Sequence, residues 1–105
     1  MTKLQQLATQ MRQTIDHTGA AYCHHKLSRG LEIVLQRTGR RYRLALGRTD
    51  TAPSDTEIEL CMAAFNVPAG AEPHHVVKIR QGKTGRLTYH VAELTWTEQE
   101  QPHVA

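Results

Sequence analysis

The chain has 105 residues, of which 39% are hydrophobic and 22% are charged, and its formal net charge is +3. This composition is typical of one globular domain and too apolar for a disordered chain. No apolar run approaches the roughly 18 residues that a membrane helix needs, and the first residues lack the apolar stretch of a signal peptide, so we expect a cytoplasmic protein without a membrane partner.

The first segment, Thr2 to Thr18, has the periodicity of an amphipathic helix. Thr2 and Gln5 match a capping box at its start, and Gly19 suits the position just past its end. Four apolar residues recur at helical spacing and are expected in the core: Leu4, Leu7, Met11 and Ile15.

The next segments favour strands. The residues of Tyr22 to Leu27 alternate in a way that permits a strand, although this stretch is ambiguous. Leu31 to Arg48 has the pattern of a β-hairpin with a two- or four-residue loop centred on Thr38 and Gly39. Such a loop places three apolar pairs on one face of a half-buried sheet: Leu35 with Tyr42, Ile33 with Leu44 and Leu31 with Leu46.

A linker from Thr49 to Pro53 precedes a second helix. Ser54 and Glu57 match a capping box, and Asn66 and Pro68 end the helical pattern. An apolar stripe at i, i+3, i+4 and i+7 spacing predicts the face that packs on the sheet: Ile58, Cys61, Met62 and Phe65.

A second hairpin is predicted over Val76 to Trp96, with a three-residue loop from Lys83 to Gly85 and a left-handed Gly85. This register pairs Ile79 with Tyr89 and Val77 with Val91 on the inner face.

Leu94 and Trp96 break the alternation of that hairpin. Either a bulge near Ala92 and Glu93 turns them inward, or they form an exposed apolar patch beside Val76.

Together these elements predict an α+β fold, a two-layer sandwich in the order α-β-β-α-β-β. Its antiparallel sheet has four or five strands, and two helices cover one face. Residues 1–96 form a single domain, and residues 97–105 form a flexible tail.

No pattern in the sequence points to catalysis, a cofactor or a metal. Cys23 and Cys61 are too few for a disulfide framework and are interpreted as reduced thiols. The seven histidines include two adjacent pairs, but adjacent residues of a strand point to opposite faces and chelate poorly. We therefore expect no metal site, no small-molecule substrate and no enzyme activity.

The distribution of charge indicates a binding surface. Seven basic residues and one acid lie between Lys26 and Arg48, whereas five acids and no Lys or Arg lie between Asp50 and Glu72. A basic outer sheet face with basic turns predicts contacts to nucleic-acid phosphates. The candidate binding residues are Arg37, Arg40, Arg41, Arg43, Lys78, Arg80, Lys83, Arg86 and His90.

Two considerations keep a second hypothesis open. Tyr42 and Tyr89 are predicted to face the core, which leaves few aromatic rings to stack on bases. Arginine-rich faces also serve protein interfaces. The alternative is a protein-interaction or homodimer module that uses the same outer face, with Val76, Leu94 and Trp96 as interface residues.

Overall fold

The computed structural model describes residues 2–18, 22–27, 30–49 and 51–98. The elements are α1 (Lys3–Thr18), β1 (Tyr22–Lys26), β2 (Glu32–Thr38), β3 (Arg41–Thr49), α2 (Asp55–Ala64), β4 (His74–Gly82) and β5 (Gly85–Thr97). The strands form one five-stranded antiparallel sheet in the order β1-β2-β3-β5-β4. The α+β class is confirmed, and β1 adds a strand to the predicted order.

Both helices begin with the predicted capping boxes. The backbone N–H of Thr2 donates to Gln5 Oε1 at 2.8 Å, and the N–H of Gln5 donates to Thr2 Oγ1 at 3.1 Å. Ser54 and Glu57 exchange the same pair of hydrogen bonds at 3.0 and 3.1 Å. These reciprocal bonds satisfy N–H groups that have no partner inside the helix, so each helix start is determined locally.

One hydrophobic cluster joins the helices to the sheet. We call the sheet side whose residues belong to this cluster the inner face, and the opposite side the outer face. Phe65, Ile33, Leu35, Leu44 and Leu46 are completely buried within it. The whole cluster contains Leu7, Ala8, Met11, Ile15, Leu31, Ile33, Leu35, Tyr42, Leu44, Leu46, Ile58, Cys61, Phe65, Ala92, Leu94 and Trp96, and the predicted Leu4 and Met62 pack against it half-buried.

The first hairpin differs from its predicted register by two residues. Its turn consists of Gly39 and Arg40, and Thr38 pairs with Arg41. Gly39 has a φ of 62°, which suits the first central position of a type II′ turn. Leu35 therefore pairs with Leu44 instead of Tyr42. A shift of two residues leaves every side chain on its predicted face, so the core prediction for this hairpin holds.

The second hairpin differs from its predicted register by one residue. Gly82 pairs with Gly85 across a two-residue turn of Lys83 and Thr84, so Ile79 lies opposite Thr88 and not Tyr89. The predicted three-residue loop is therefore wrong. Gly85 does have a positive φ, 133°, but as the first residue of β5 and not as the last residue of the loop. A shift of one residue moves the side chains of one strand to the opposite face of the sheet.

That shift corrects the faces of β5. Tyr89 and Val91, predicted on the inner face, lie on the outer face, because they alternate with the inner-face residues Ala92, Leu94 and Trp96. No bulge is needed to turn Leu94 and Trp96 inward, since the continuous strand already does so. Of the two alternatives, the inward placement of Leu94 and Trp96 is therefore the one observed, and the exposed patch is wrong.

Two further core predictions on β4 are wrong. Val77 and Ile79 are on the inner face but remain 59% and 66% exposed. They lie on the edge strand of the sheet, and neither belongs to the core cluster or packs against it. Alternation in the sequence identifies the face of a strand, but it does not identify how far the covering layer extends.

The described chain also continues past the predicted domain boundary at residue 96. β5 runs through Thr97, and the N–H of Glu98 donates to the carbonyl of Arg40 at 2.9 Å. The Glu98 carboxylate pairs with Arg12. The remaining residues of the predicted tail, 99–105, lie outside the described residues.

Both cysteines are free thiols, as expected. Burial, together with the nearby Glu57 carboxylate, raises the pKa of Cys61 to about 11, so this thiol stays protonated at neutral pH. Neither described helix is long and apolar enough to cross a membrane.

Replacing Phe65 with alanine should destabilise the protein by roughly 3–5 kcal/mol, because the ring is fully packed and its removal leaves a cavity. Urea denaturation of both proteins measures the difference. Leu60→Ala on the same helix is the control, because Leu60 is 57% exposed and its truncation should have little effect. Equal destabilisation by the two substitutions would contradict the assigned packing of α2.

The pH dependence of stability should contain a contribution from Glu57. Its hydrogen bonds to Arg48 lower the pKa of the carboxyl from 4.5 to about 2. A lowered folded-state pKa stabilises the protein above pH 4.5, and this stability is lost as the pH falls towards about 2. Glu57→Gln should flatten the acid limb of a stability–pH profile while keeping the capping box. Glu59→Gln, on the exposed side of α2, is the control, and an unchanged limb in Glu57→Gln would contradict the assignment.

Candidate functional site

The outer face of the sheet forms an open hollow of about 450 Å³. Small side chains make its floor: Gly47, Ala45 and Val34 in the centre of the sheet, beside Val91 of β5. Larger polar and aromatic side chains surround them. All five strands contribute, and the residues lining the hollow are Tyr22, His24, Glu32, Val34, Gln36, Arg43, Ala45, Gly47, Lys78, Arg80, Tyr89 and Val91.

Tyr89 crosses the floor of the hollow. Its side chain leaves β5, passes over β3 at Gly47 and donates a hydrogen bond of 2.8 Å to Glu32 Oε2 on β2. A Cβ atom on Gly47 would lie 2.5 Å from the ring atoms Cε1 and Cζ of Tyr89. Only glycine leaves space for this ring, which explains a glycine within a central strand.

The Glu32 carboxylate is the centre of this arrangement. The hydrogen bond from Tyr89 is the main cause of a lowered pKa for Glu32, and His24 contributes further. His24 Nε2 lies 3.3 Å from Glu32 Oε2. Burial and the same bond to Glu32 raise the pKa of Tyr89 to about 12. At neutral pH the carboxylate is therefore ionised, the phenol is protonated, and the bond between them holds the ring in place.

A second network holds the basic side chains. Arg43 pairs with Glu93 and donates a bond of 2.8 Å to Gln36 Oε1, and Lys78 Nζ lies 3.9 Å from the same glutamate. The guanidinium of Arg80 lies over the Tyr89 ring, 4.9 Å from its centroid. These contacts orient three cations around the hollow.

Cations outnumber carboxylates on the outer face. Glu32 and Glu93 are the two acids among the outward-facing residues of the five strands. The cations on the same side are Lys26, Arg41, Arg43, Lys78 and Arg80. The surface is therefore positively charged even after its internal ion pairs are counted.

Arg41, Arg43, Lys78 and Arg80 occupy the outer face as predicted, whereas the predicted place of His90 is wrong. His90 lies opposite Val77 on the inner side and is half-buried, a consequence of the one-residue shift of β5.

The turn residues are spread over two ends of the sheet. Arg37 belongs to β2, points to the inner side and pairs with Asp16 at the end of α1, 2.8 Å away. Arg40 lies in the first turn, and Lys83 and Arg86 lie at the tip of the second hairpin. These residues do not line the hollow.

The predicted interface residues are also separated. Val76 is half-buried on the outer face of β4, opposite Val91. Leu94 is completely buried in the core, and Trp96 is 7% exposed and stacked on Tyr42 with ring centroids 5.5 Å apart. Leu94 and Trp96 therefore cannot act as surface anchors of a face-to-face dimer.

Sequence reasoning missed the aromatic side of the site. Tyr22 is 52% exposed on the outer face and stacks against His24, with centroids 6.4 Å apart. The sequence predicts Tyr89 on the inner face, whereas it lies on the outer face. Gly47 inside a strand was an available signal, because an interior glycine often marks the close approach of another group.

Among the described residues, no group of three or more His, Cys, Asp or Glu side chains is placed to hold a metal ion. Comparison with models of known protein families, with curated proteins and with solved structures finds no match.

Replacing Gly47 with alanine should displace Tyr89 and break its bond to Glu32. The pKa of the Glu32 carboxyl should then rise towards 4.5, since this bond is the main cause of its lowered value. An NMR titration of the side-chain carboxyl measures the change. Gly70→Ala is the matched control, because a Cβ there meets nothing within 4 Å. An unchanged Glu32 titration in Gly47→Ala would show that the ring does not depend on this glycine.

Proposed function

We propose that the protein is a non-enzymatic binding protein that takes up single-stranded nucleic acid in the hollow of its outer sheet face. The observation that supports this most directly is the meeting of Tyr22, Arg80 and Lys78 around one open hollow of about 450 Å³. Planar groups and cations on one sheet face are the two elements that single-strand-binding surfaces combine.

The cations supply the attraction to phosphate. Arg41, Lys78 and Arg80 are exposed on the outer face, and Arg43 is held beside them by Glu93 and Gln36. Guanidinium and ammonium groups bind phosphate oxygens and release counterions, a contribution that is independent of base sequence. A binding surface of this kind prefers nucleic acid over uncharged partners.

The planar side chains supply stacking surfaces. The exposed ring of Tyr22 faces the hollow from β1, and the Arg80 guanidinium faces it from β4 on the other side. Bases stack on tyrosine rings and on guanidinium planes alike. Tyr89 itself lies between Gly47 and Arg80, so it supports Arg80 from below and is not itself a free stacking surface.

The shape of the hollow favours a single strand over a duplex. Bases of a single strand are free to turn towards a protein surface, whereas the bases of a duplex are paired and stacked inside it. A concave sheet face lined by Tyr22 and Arg80 suits splayed bases. Tyr22 supplies an exposed aromatic ring at the hollow, whereas the ring of Tyr89 is covered by Arg80 and contributes through that guanidinium.

The test is the binding of a fluorescently labelled single-stranded oligonucleotide, compared with a duplex of the same sequence. Changing Arg41, Lys78 and Arg80 together to glutamine should weaken binding. It should also flatten the salt dependence by about 0.7 in log–log slope for each phosphate that the protein no longer neutralises. Arg43 is left in place, because its replacement would remove the main partner of Glu93.

Two controls separate the hollow from general charge and from the turns. The triple variant Lys3→Gln, Lys83→Gln and Arg86→Gln removes the same charge away from the hollow and should weaken binding less. Tyr22→Ala should cost roughly 1–3 kcal/mol of binding free energy, and Tyr22→Phe should restore most of it. Absence of binding by the wild-type protein at low salt would eliminate the proposal. Equal weakening by the two triple variants would show that binding follows the overall charge and is not located at the outer face.

A further inference from the structure

β4 combines two features that are uncommon on the surface of a monomer. It is the edge strand of the sheet, nine residues long, and no described segment pairs with its outer edge. It also exposes Val77 and Ile79, 59% and 66%, side by side on the inner face. Long, regular edge strands with apolar side chains tend to pair with another strand.

The end of the sheet near Ile79 is formed by few paired strands. Among the described residues, β5 pairs with β3 from Tyr89 onwards, and Gly85 to Thr88 pair with β4 alone. In this part of the chain the tip is a two-stranded ribbon, and such ribbons are marginally stable without a further covering layer.

We propose that two copies of the chain pair antiparallel along β4 and form a two-fold symmetric dimer with one continuous ten-stranded sheet. A second copy fits this edge because an antiparallel pair of identical strands is closed by a two-fold axis perpendicular to the sheet, and each strand satisfies the other's free N–H and C=O groups. This proposal does not depend on nucleic-acid binding.

The sequence of β4 is complementary to itself when the axis passes between the two Lys78 residues. Val77 of each copy then lies opposite Ile79 of the other, and the four side chains form one apolar cluster on the inner face. Gln81 lies opposite His75, a polar pair on the same face. The exposed apolar residues of one copy are thus covered by the same residues of the other.

Charges at the two ends of the paired strands favour the same register. Glu72 precedes β4, and Lys83 lies in the turn that follows it. Antiparallel pairing brings Glu72 of each copy beside the turn that carries Lys83 of the other, and the symmetry makes this contact twice. The unfavourable contacts are those of Lys78 with its counterpart and with Arg80 of the other copy, its diagonal neighbour on the outer face. Glu93, 3.9 Å from Lys78 Nζ within each copy, reduces this repulsion.

The pairing would also place both hollows on the same side of the extended sheet, because the axis is perpendicular to it. Lys78 and Arg80 of the two copies would then lie at its centre, between the hollows. A dimer presents a doubled basic surface to a longer ligand.

The decisive experiment is a charge exchange, read as molecular mass by light scattering across a range of micromolar concentrations. Glu72→Lys and Lys83→Glu should each raise the dimer dissociation constant by roughly tenfold, because two attractive pairs become repulsive. The double variant restores both pairs with reversed polarity and should return the constant close to that of the wild type. Both residues are exposed, so these variants should fold normally.

A second pair of variants tests the apolar centre. Ile79→Lys should abolish the dimer, whereas Leu87→Lys should not, because Leu87 is also exposed but lies on β5, away from the edge. Circular dichroism establishes that each variant is folded. A wild-type protein that is monomeric at high micromolar concentration would overturn the proposal. A dimer insensitive to Ile79→Lys and to the charge exchange would overturn it equally, because its interface would lie elsewhere.

Discussion

The two-residue turn at Lys83 and Thr84 decides what each face of the sheet can do. The length of this turn determines which alternate residues of β5 face inward. The assignment holds along the whole strand, because successive side chains point to opposite faces. Leu94 and Trp96 consequently complete the core, while Tyr89 and Val91 face outward. A loop longer by one residue would exchange these sets, exposing the tryptophan and burying the phenol that now spans the hollow.

The arrangement of the outer face depends on Tyr89 facing outward. Tyr89 reaches Glu32 two strands away only because the intervening strand has glycine at position 47. The ring supports Arg80, and the carboxylate it binds is also close to His24. Residues of all five strands are thereby held in one arrangement. In the proposed binding of nucleic acid, such preorganisation would lower the conformational entropy lost on association.

The inner face shows a gradient from the core to the β4 edge. Near β2 and β3 the helices bury the apolar residues completely, whereas Val77 and Ile79 on β4 remain exposed. The stripe on α2 illustrates the buried end, since Ile58, Cys61 and Phe65 contribute to the core and Met62 is half-buried beside them. Apolar residues with the same alternation in the sequence are thus buried near the helices and exposed far from them.

Local signals in the sequence were sufficient for the elements themselves. The capping boxes at Thr2 and Ser54, the helical stripes and the positive φ of Gly85 were all predicted, because each depends on residues within a few positions of one another. The residues of Tyr22–Lys26 permit a strand without requiring one, since a short polar strand is stabilised by pairing with β2 and not by its own composition.

The predicted faces of the hairpin residues were right or wrong according to the error in the predicted strand pairing. In the first hairpin the predicted pairing was displaced by two residues, and Ile33, Leu35 and Leu44 remained in the core. In the second it was displaced by one, and Tyr89 and His90 exchanged faces. The sequence by itself determined the helices, the hairpins and the basic character of the sheet. Only the tertiary structure decided which residues of β5 face inward, that Tyr89 crosses over Gly47 and that β4 is exposed. These features depend on contacts between segments far apart in the chain.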